Sequence, residues 1–239
     1  MTPLSRKSSL DEIRARFDAD VDRFSQLETG QQATLDAPLV LDRVAHTAST
    51  HLRSGDRLLD LGCGAGNFTL RVMQECGTMD CTLVDLSTPM LERARKRVAD
   101  AGATAIHTLA SDLRDLELPE NSFDAILAGA VLHHLREDDD WSHVFRQLHR
   151  WLRPGGRLYV ADLVEFDDPR VQAKMWQNYG DYLTTLGGED YRDRVFAYID
   201  QEDSPRSLPY QIRLLEQCGF SHWDILHRNS VFACYLGEK

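Results

Sequence analysis

From residue 56 the sequence alternates short apolar runs with amphipathic stretches, and that rhythm excludes most folds. The runs "RLLDL", "CTLVDL", "AIHTLA", "FDAILAG" and "GRLYVAD" are interleaved with "NFTLRVMQEC", "TPMLERARKRVADAG" and "WSHVFRQLHRWL". Strands and helices alternating at this spacing require right-handed crossovers. These build a doubly wound, mostly parallel α/β sheet covered by helices on both faces. In the last helical stretch Trp141, Val144, Phe145, Leu148, Trp151 and Leu152 share one face, as packing against a sheet demands. "RPGG" reads as the turn that delivers the fifth strand. Further on, "SLPYQIRLLEQCGF" has the pattern of another sheet-packing helix, followed by "HWDILHR" and "VFACYLG". The short link "NS" between those two runs permits only an antiparallel hairpin.

Two regions break the rhythm. In the first fifty residues Leu10, Ile13, Phe17, Val21 and Phe24 recur at helical steps behind Ser8 or Ser9 as a cap, and "LETGQQATLDAP" ends the pattern. A second stripe follows through Leu39, Val40, Val44, Ala48 and Leu52. Residues 163–204 are rich in aromatics and charges and read as helical. The expected organisation is an N-terminal helical cap over 1–50, a sheet domain made of 51–162 and 205–239, and a helical insert over 163–204 that forms a candidate lid.

A chain of 239 residues, 42% hydrophobic and 27% charged, is long enough for one sizeable core with a cap. Its formal charge of −11 disfavours nucleic acid and anionic membranes as partners. No run approaches the ~20 apolar residues of a membrane span. The opening "MTPLSRKSSLDEIRARFDAD" has no apolar core of a signal peptide, so a cytoplasmic location is expected. Five cysteines without paired spacing read as reduced thiols.

The stretch "LLDLGCGAGNFT" then raises the chemical question. A glycine-rich turn between strand and helix exposes backbone to a ligand. Dinucleotide binders use G-x-G-x-x-G there for a pyrophosphate. In this chain the third glycine comes one place early, and Asp60 stands before Gly62, Gly64 and Gly66 at the strand end. A carboxylate at that edge repels a pyrophosphate but suits the ammonium of S-adenosylmethionine (SAM), which carries no phosphate. Asp85 ends the second strand, where a carboxylate accepts from ribose hydroxyls, and Asp112 follows the third, within reach of an adenine amino group. The Leu113 backbone N–H meets a ring nitrogen, while Leu86 and Leu113 sandwich the adenine. The plainer reading of any one of these acids is a solvated loop residue; three at successive strand ends point to one ligand.

Together "LLDLGCGAGNFT", "LVDLSTPMLERA", "SDL", "FDAILAGAVLHHL" and "LRPGGRLYVAD" resemble the ordered motifs of class I SAM-dependent methyltransferases, of the ubiquinone/menaquinone C-methylation type. The resemblance spans roughly residues 56–162 and implies a seven-stranded sheet with an antiparallel last strand. It also implies SAM contacts from Asp60, Gly62, Gly64, Gly66, Asp85, Leu86, Asp112 and Leu113, with Ala128 near the methionine part. The activity implied is methyl transfer to a small-molecule acceptor by a monomer or homodimer, with S-adenosylhomocysteine as product. "YRDRVFAY…DSPRSLPYQIRLLEQCGF" also looks loosely like the carboxyl-terminal part of tRNA wobble-uridine carboxy-SAM synthases. A SAM-binding module without catalysis is the other alternative.

Displacement at a sulfonium needs little more than orientation in a dry site. His133 and His134, after the fourth strand, are the candidate general bases; packed family-motif histidines are the plainer reading. Nine histidines without an HxxxH pair and cysteines without a cluster give no expectation of a metal. In the insert, Trp176 and Tyr179 are expected near the methyl donor if it forms a lid. Arg192 and Arg194 are candidates for an acidic substrate, with a solvated helix face as the plainer reading.

Overall fold

Every apolar run of the alternation becomes a strand. In the computed structural model, which describes residues 7–26 and 32–239, seven strands form one sheet. They are β1 (Arg57–Leu61), β2 (Asp80–Asp85), β3 (Ala105–Ala110), β4 (Phe123–Gly129), β5 (Leu152–Leu163), β6 (His222–Asn229) and β7 (Phe232–Glu238). Their order is β3-β2-β1-β4-β5-β7-β6, with β7 alone running against the direction of the other six. Leu58, Leu59 and Leu61 are fully buried, as a central parallel strand covered on both faces requires. The doubly wound class and its reversed last strand stand as read.

Two local readings change. "RPGG" lies inside β5: Phe123 pairs with Leu152 and Ala125 with Arg157, so the segment bulges between them. The hairpin link is Ser230–Val231, because Asn229 still pairs with Phe232.

The N-terminal stripe forms α1 (Leu10–Ala19), started by a capping box in which Ser9 and Glu12 bond each other's backbone. It does not run on to Phe24. Asp20 leaves helical geometry at φ −107, ψ 12, and a short α2 (Val21–Phe24) follows. Part of "LETGQQATLDAP", residues 27–31, lies outside the described residues. On one sheet face α3 (Ala37–Ala48), α4 (Asn67–Cys76) and α5 (Thr88–Asp100) pack around Val44, Val72, Leu83 and Ala94. Thus α3 joins the core layer, while α1 and α2 stand over the strand ends. On the other face α6 (Asp138–Trp151) buries Trp141, Phe145 and Leu148. Each such side chain contributes about 1.5–3 kcal/mol relative to exposure.

Asp168 caps α7 (Pro169–Glu202), accepting from the Arg170 and Val171 amides at 2.8 and 3.4 Å. Gly188, at φ +75, breaks it into two halves that fold back on one another, with Trp176 stacked on Phe196 at 4.8 Å. The last helix, α8 (Leu208–Cys218), packs beside α6.

Arg16 carries the charged contact between α1 and the insert, beside a bond from the Ser8 amide to the Gln201 carbonyl at 3.1 Å. Arg16 donates to the Glu202 carboxylate at 2.7, 3.0 and 3.2 Å and to the Tyr198 hydroxyl at 2.8 Å. Glu202 is only 7% exposed, so removing Arg16 strands a buried charge. We expect Arg16→Ala to cost about 2–3 kcal/mol in urea unfolding and to speed amide exchange in α1. A loss under about 0.5 kcal/mol would make the pair an ordinary surface bridge.

Candidate active site

The glycine turn sits where β1 hands over to α4. Gly62 adopts φ +61, and a Cβ there would lie 2.5 Å from Val131 Cγ2. Only glycine serves. Gly64, at φ +49, has open space where its Cβ would be, so its backbone faces the cleft. Asp85 fixes this turn from the neighbouring strand. One of its oxygens accepts from the Gly64 amide at 2.8 Å, the other from the Ser87 amide at 2.9 Å. Burial pushes the Asp85 carboxyl up, opposed by those backbone bonds. At the next strand end burial also acts to raise Asp112, but Arg114 more than offsets it. Its guanidinium donates at 2.9 and 2.6 Å and holds the Asp112 carboxyl below its ordinary value.

Gly62, Gly64, Asp85, Leu86, Asp112 and Leu113 all line one cavity of about 1070 Å³, open mouth included. Ile13, Phe17 and Phe24 of α1 and α2 roof it. Three residues of the expected set are not on its wall. Gly66 is the N-cap of α4, and Ala128 is buried within β4. Asp60 lies under the turn, 2% exposed, where its carboxylate takes the Thr69 hydroxyl at 2.6 Å. The first helical turn of α4 captures the side chain that the strand would otherwise offer to a ligand.

A second cavity, of about 1230 Å³, opens beside the first, and Phe17, Phe24, Ala130 and His134 belong to both walls. Its own wall carries Tyr179, Tyr191, Tyr198 and Phe232, with Arg194. Trp176 and Arg192 are not on either wall: Trp176 packs between Tyr179 and Phe196, and Arg192 pairs with Asp193 at 2.8 Å.

His133 and His134 form a 3₁₀ turn, Leu132–His134, directly after β4. They diverge. His133 is buried, with its amide and Nδ1 both bonded to Asp162 of β5. Burial works to lower its pKa, but Asp162 and Asp203 prevail and raise it to about 9. His134 faces the junction of the cavities, with Nδ1 3.3 Å from Asp203 Oδ1. Sequence reasoning missed Asp162 and Asp203, and it missed Phe17 and Phe24 as cavity wall. Asp203 stands 69 residues after His134, so no local spacing signals their meeting. The hint available was "VAD" at a strand end, where ligand-edge acids concentrate.

Comparison with known proteins bears on this geometry. Residues 58–156 match a family described as a methyltransferase domain. A demethylmenaquinone methyltransferase of Listeria monocytogenes is 28% identical over 193 residues, covering 79% of this chain and 80% of that protein. The 27-O-demethylrifamycin SV methyltransferase of Amycolatopsis mediterranei is 36% identical over 176 residues, 68% of this chain and 62% of that one. Among solved structures, Haemonchus contortus phosphoethanolamine N-methyltransferase 2 bound to SAM superposes with a TM-score of 0.65 at 18% identity, covering 91% of this chain and 46% of that chain. Domain and relatives together make this chain a methyltransferase, on the doubly wound sheet described above.

Asp60 has a consequence for stability. Burial pushes its carboxyl up to about 7, against the Thr69 bonds that lower it. An acid raised on folding stabilises fully below its unfolded pKa of about 3.9 and loses that contribution as pH rises through the folded value. Wild type should therefore lose stability relative to Asp60→Asn between pH 4 and about 7. Parallel denaturation curves for the two proteins across that range would refute it.

Proposed function

We propose that this enzyme methylates a small, largely apolar aromatic acceptor held in the second cavity, with the adenosyl half of SAM in the first. The observation that carries the proposal is the shared wall: His134, Phe17, Phe24 and Ala130 border both cavities, so donor and acceptor meet at one opening. The first cavity suits SAM on its own chemistry. Gly64 leaves backbone open to a ligand, and Asp85 and Asp112 each retain lone pairs for hydroxyl and amino donors. Two acids on the wall oppose a pyrophosphate. When bound, SAM supplies a methyl group on a sulfonium.

The chain's own residues do the rest. Leu86 and Leu113 offer apolar faces to the adenine, and the turn at Gly62 and Gly64 receives the methionine part. Tyr179, Tyr191, Tyr198 and Phe232 enclose the acceptor and exclude water, which leaves orientation as the main source of rate. Arg194, over the Tyr191 ring at 5.9 Å, offers a cation to an acidic group on the acceptor. Removal of a proton from the acceptor depends on the His134 end of the histidine turn, while Asp162 fixes the His133 ring. Five free cysteines support action in a reducing, cytoplasmic setting.

Native mass spectrometry of the purified protein should show SAM or S-adenosylhomocysteine retained. Calorimetry should give micromolar SAM affinity, on the order of −7 to −8 kcal/mol, weakened about tenfold or more by Asp85→Ala. With phenolic and carboxylated aromatic acceptors, formation of S-adenosylhomocysteine should fall at least tenfold in His134→Ala while SAM affinity stays within about threefold. Retention of a carboxylated SAM would instead favour the carboxy-SAM synthase reading. Binding of NADH without SAM would reject the cavity assignment.

A further inference from the structure

Beyond the methyl donor, the structure assigns a divalent transition-metal site to His133, His134 and Asp203, at the junction of the two cavities. One donor atom from each of the three lies within 4.8 Å of the others. Asp203 Oδ1 is 3.3 Å from His134 Nδ1 and 3.7 Å from His133 Nε2. Donors around a tetrahedral zinc, at bonds of about 2.0–2.1 Å, stand roughly 3.3–3.4 Å apart. The Asp203–His134 separation already matches, and the Asp203–His133 separation is a few tenths of an ångström longer.

The second observation is that two of the donors have no occupation beyond one another. His134 Nδ1 and Asp203 Oδ1 are buried and make no well-formed hydrogen bond, meeting only as an ion pair at 3.3 Å. The Asp203 side chain is only 3% exposed. A buried polar atom left unpaired costs about 1–3 kcal/mol, and here two converge on one point. The surroundings complete the pattern. Asp162 takes the Nδ1 side of His133 and leaves Nε2 facing Asp203, the carboxylate–imidazole support that orients metal-binding histidines. The Ser204 amide donates to the His133 carbonyl at 2.7 Å, which ties the end of α7 to the histidine turn. Among the neighbouring cations, Arg16 is engaged by Glu202, and Lys7 donates to the backbone carbonyl of Asp203.

Two imidazoles and one carboxylate favour zinc or ferrous iron over magnesium or calcium, which prefer all-oxygen shells. His133, His134 and Asp203 all line the second cavity, so the remaining coordination positions face the acceptor. On the acceptor placement proposed above, a hydroxyl oxygen bound there would lose its proton more readily.

Cobalt(II) is a suitable probe, because its visible absorption reports ligand geometry independently of turnover. Chelator-stripped, untagged full-length protein should bind one equivalent with intense d–d bands, displaced by one equivalent of zinc. Asp203→Asn and His134→Gln should each weaken cobalt binding at least tenfold while calorimetry still detects SAM, which shows that the variants fold. No saturable cobalt spectrum in protein that binds SAM overturns the site. So does saturation that survives both substitutions. Cobalt binding in protein that fails to bind SAM would sustain the metal site and overturn the cofactor placement instead.

Discussion

The carboxylate of Asp85 holds two stretches of backbone that would otherwise be free to drift. It reaches from the end of β2 to the amide of Gly64 on the turn after β1, and to the amide of Ser87 at the start of α5. Parallel pairing aligns β1 and β2 but leaves the loops beyond them undetermined. One acid sets both. The Ser87 hydroxyl, fixed in turn, caps α5 at Met90 and meets Asp18 of α1 at 2.5 Å, so even the placement of the roof traces back to this residue.

A comparable economy operates on the other side of the opening. The insert contributes both wall and anchor: Tyr179 and Tyr198 face the second cavity, while Glu202 grips α1 and Asp203 meets the histidine turn. A kink at Gly187–Gly188 makes this possible, because two helical arms that pack on each other return the chain to the sheet. A straight helix of 34 residues would run about 50 Å and end far from the strand ends.

The sheet was largely legible because parallel strands covered on both faces must be apolar throughout. "RLLDL" and "FDAILAG" carry that signature with little ambiguity. The acids at the second and third strand ends were legible from position alone, since strand ends define the ligand edge. Asp60 was not. Whether a carboxylate at such an end faces outward depends on whether the next helix offers a hydroxyl, and Thr69 does. Pairing between His134 and Asp203 was equally hidden, because it depends on how an insert folds back rather than on any spacing. The break at Asp20 escaped for a simpler reason: Phe17 and Phe24, seven apart, satisfy one helical stripe whether or not the backbone between them stays helical.

Because Phe17 walls both cavities, the position of α1 is felt in the two chambers at once. A displacement of α1 that moves Phe17 reshapes both walls together, and it works against the Arg16–Glu202 ion pair and the bond from the Ser8 amide to the Gln201 carbonyl. Whatever orders α1 over one chamber thereby prepares the wall of the other. Occupancy of the two is coupled through a helix rather than through contact between their contents, and the charged part of that coupling weakens with salt.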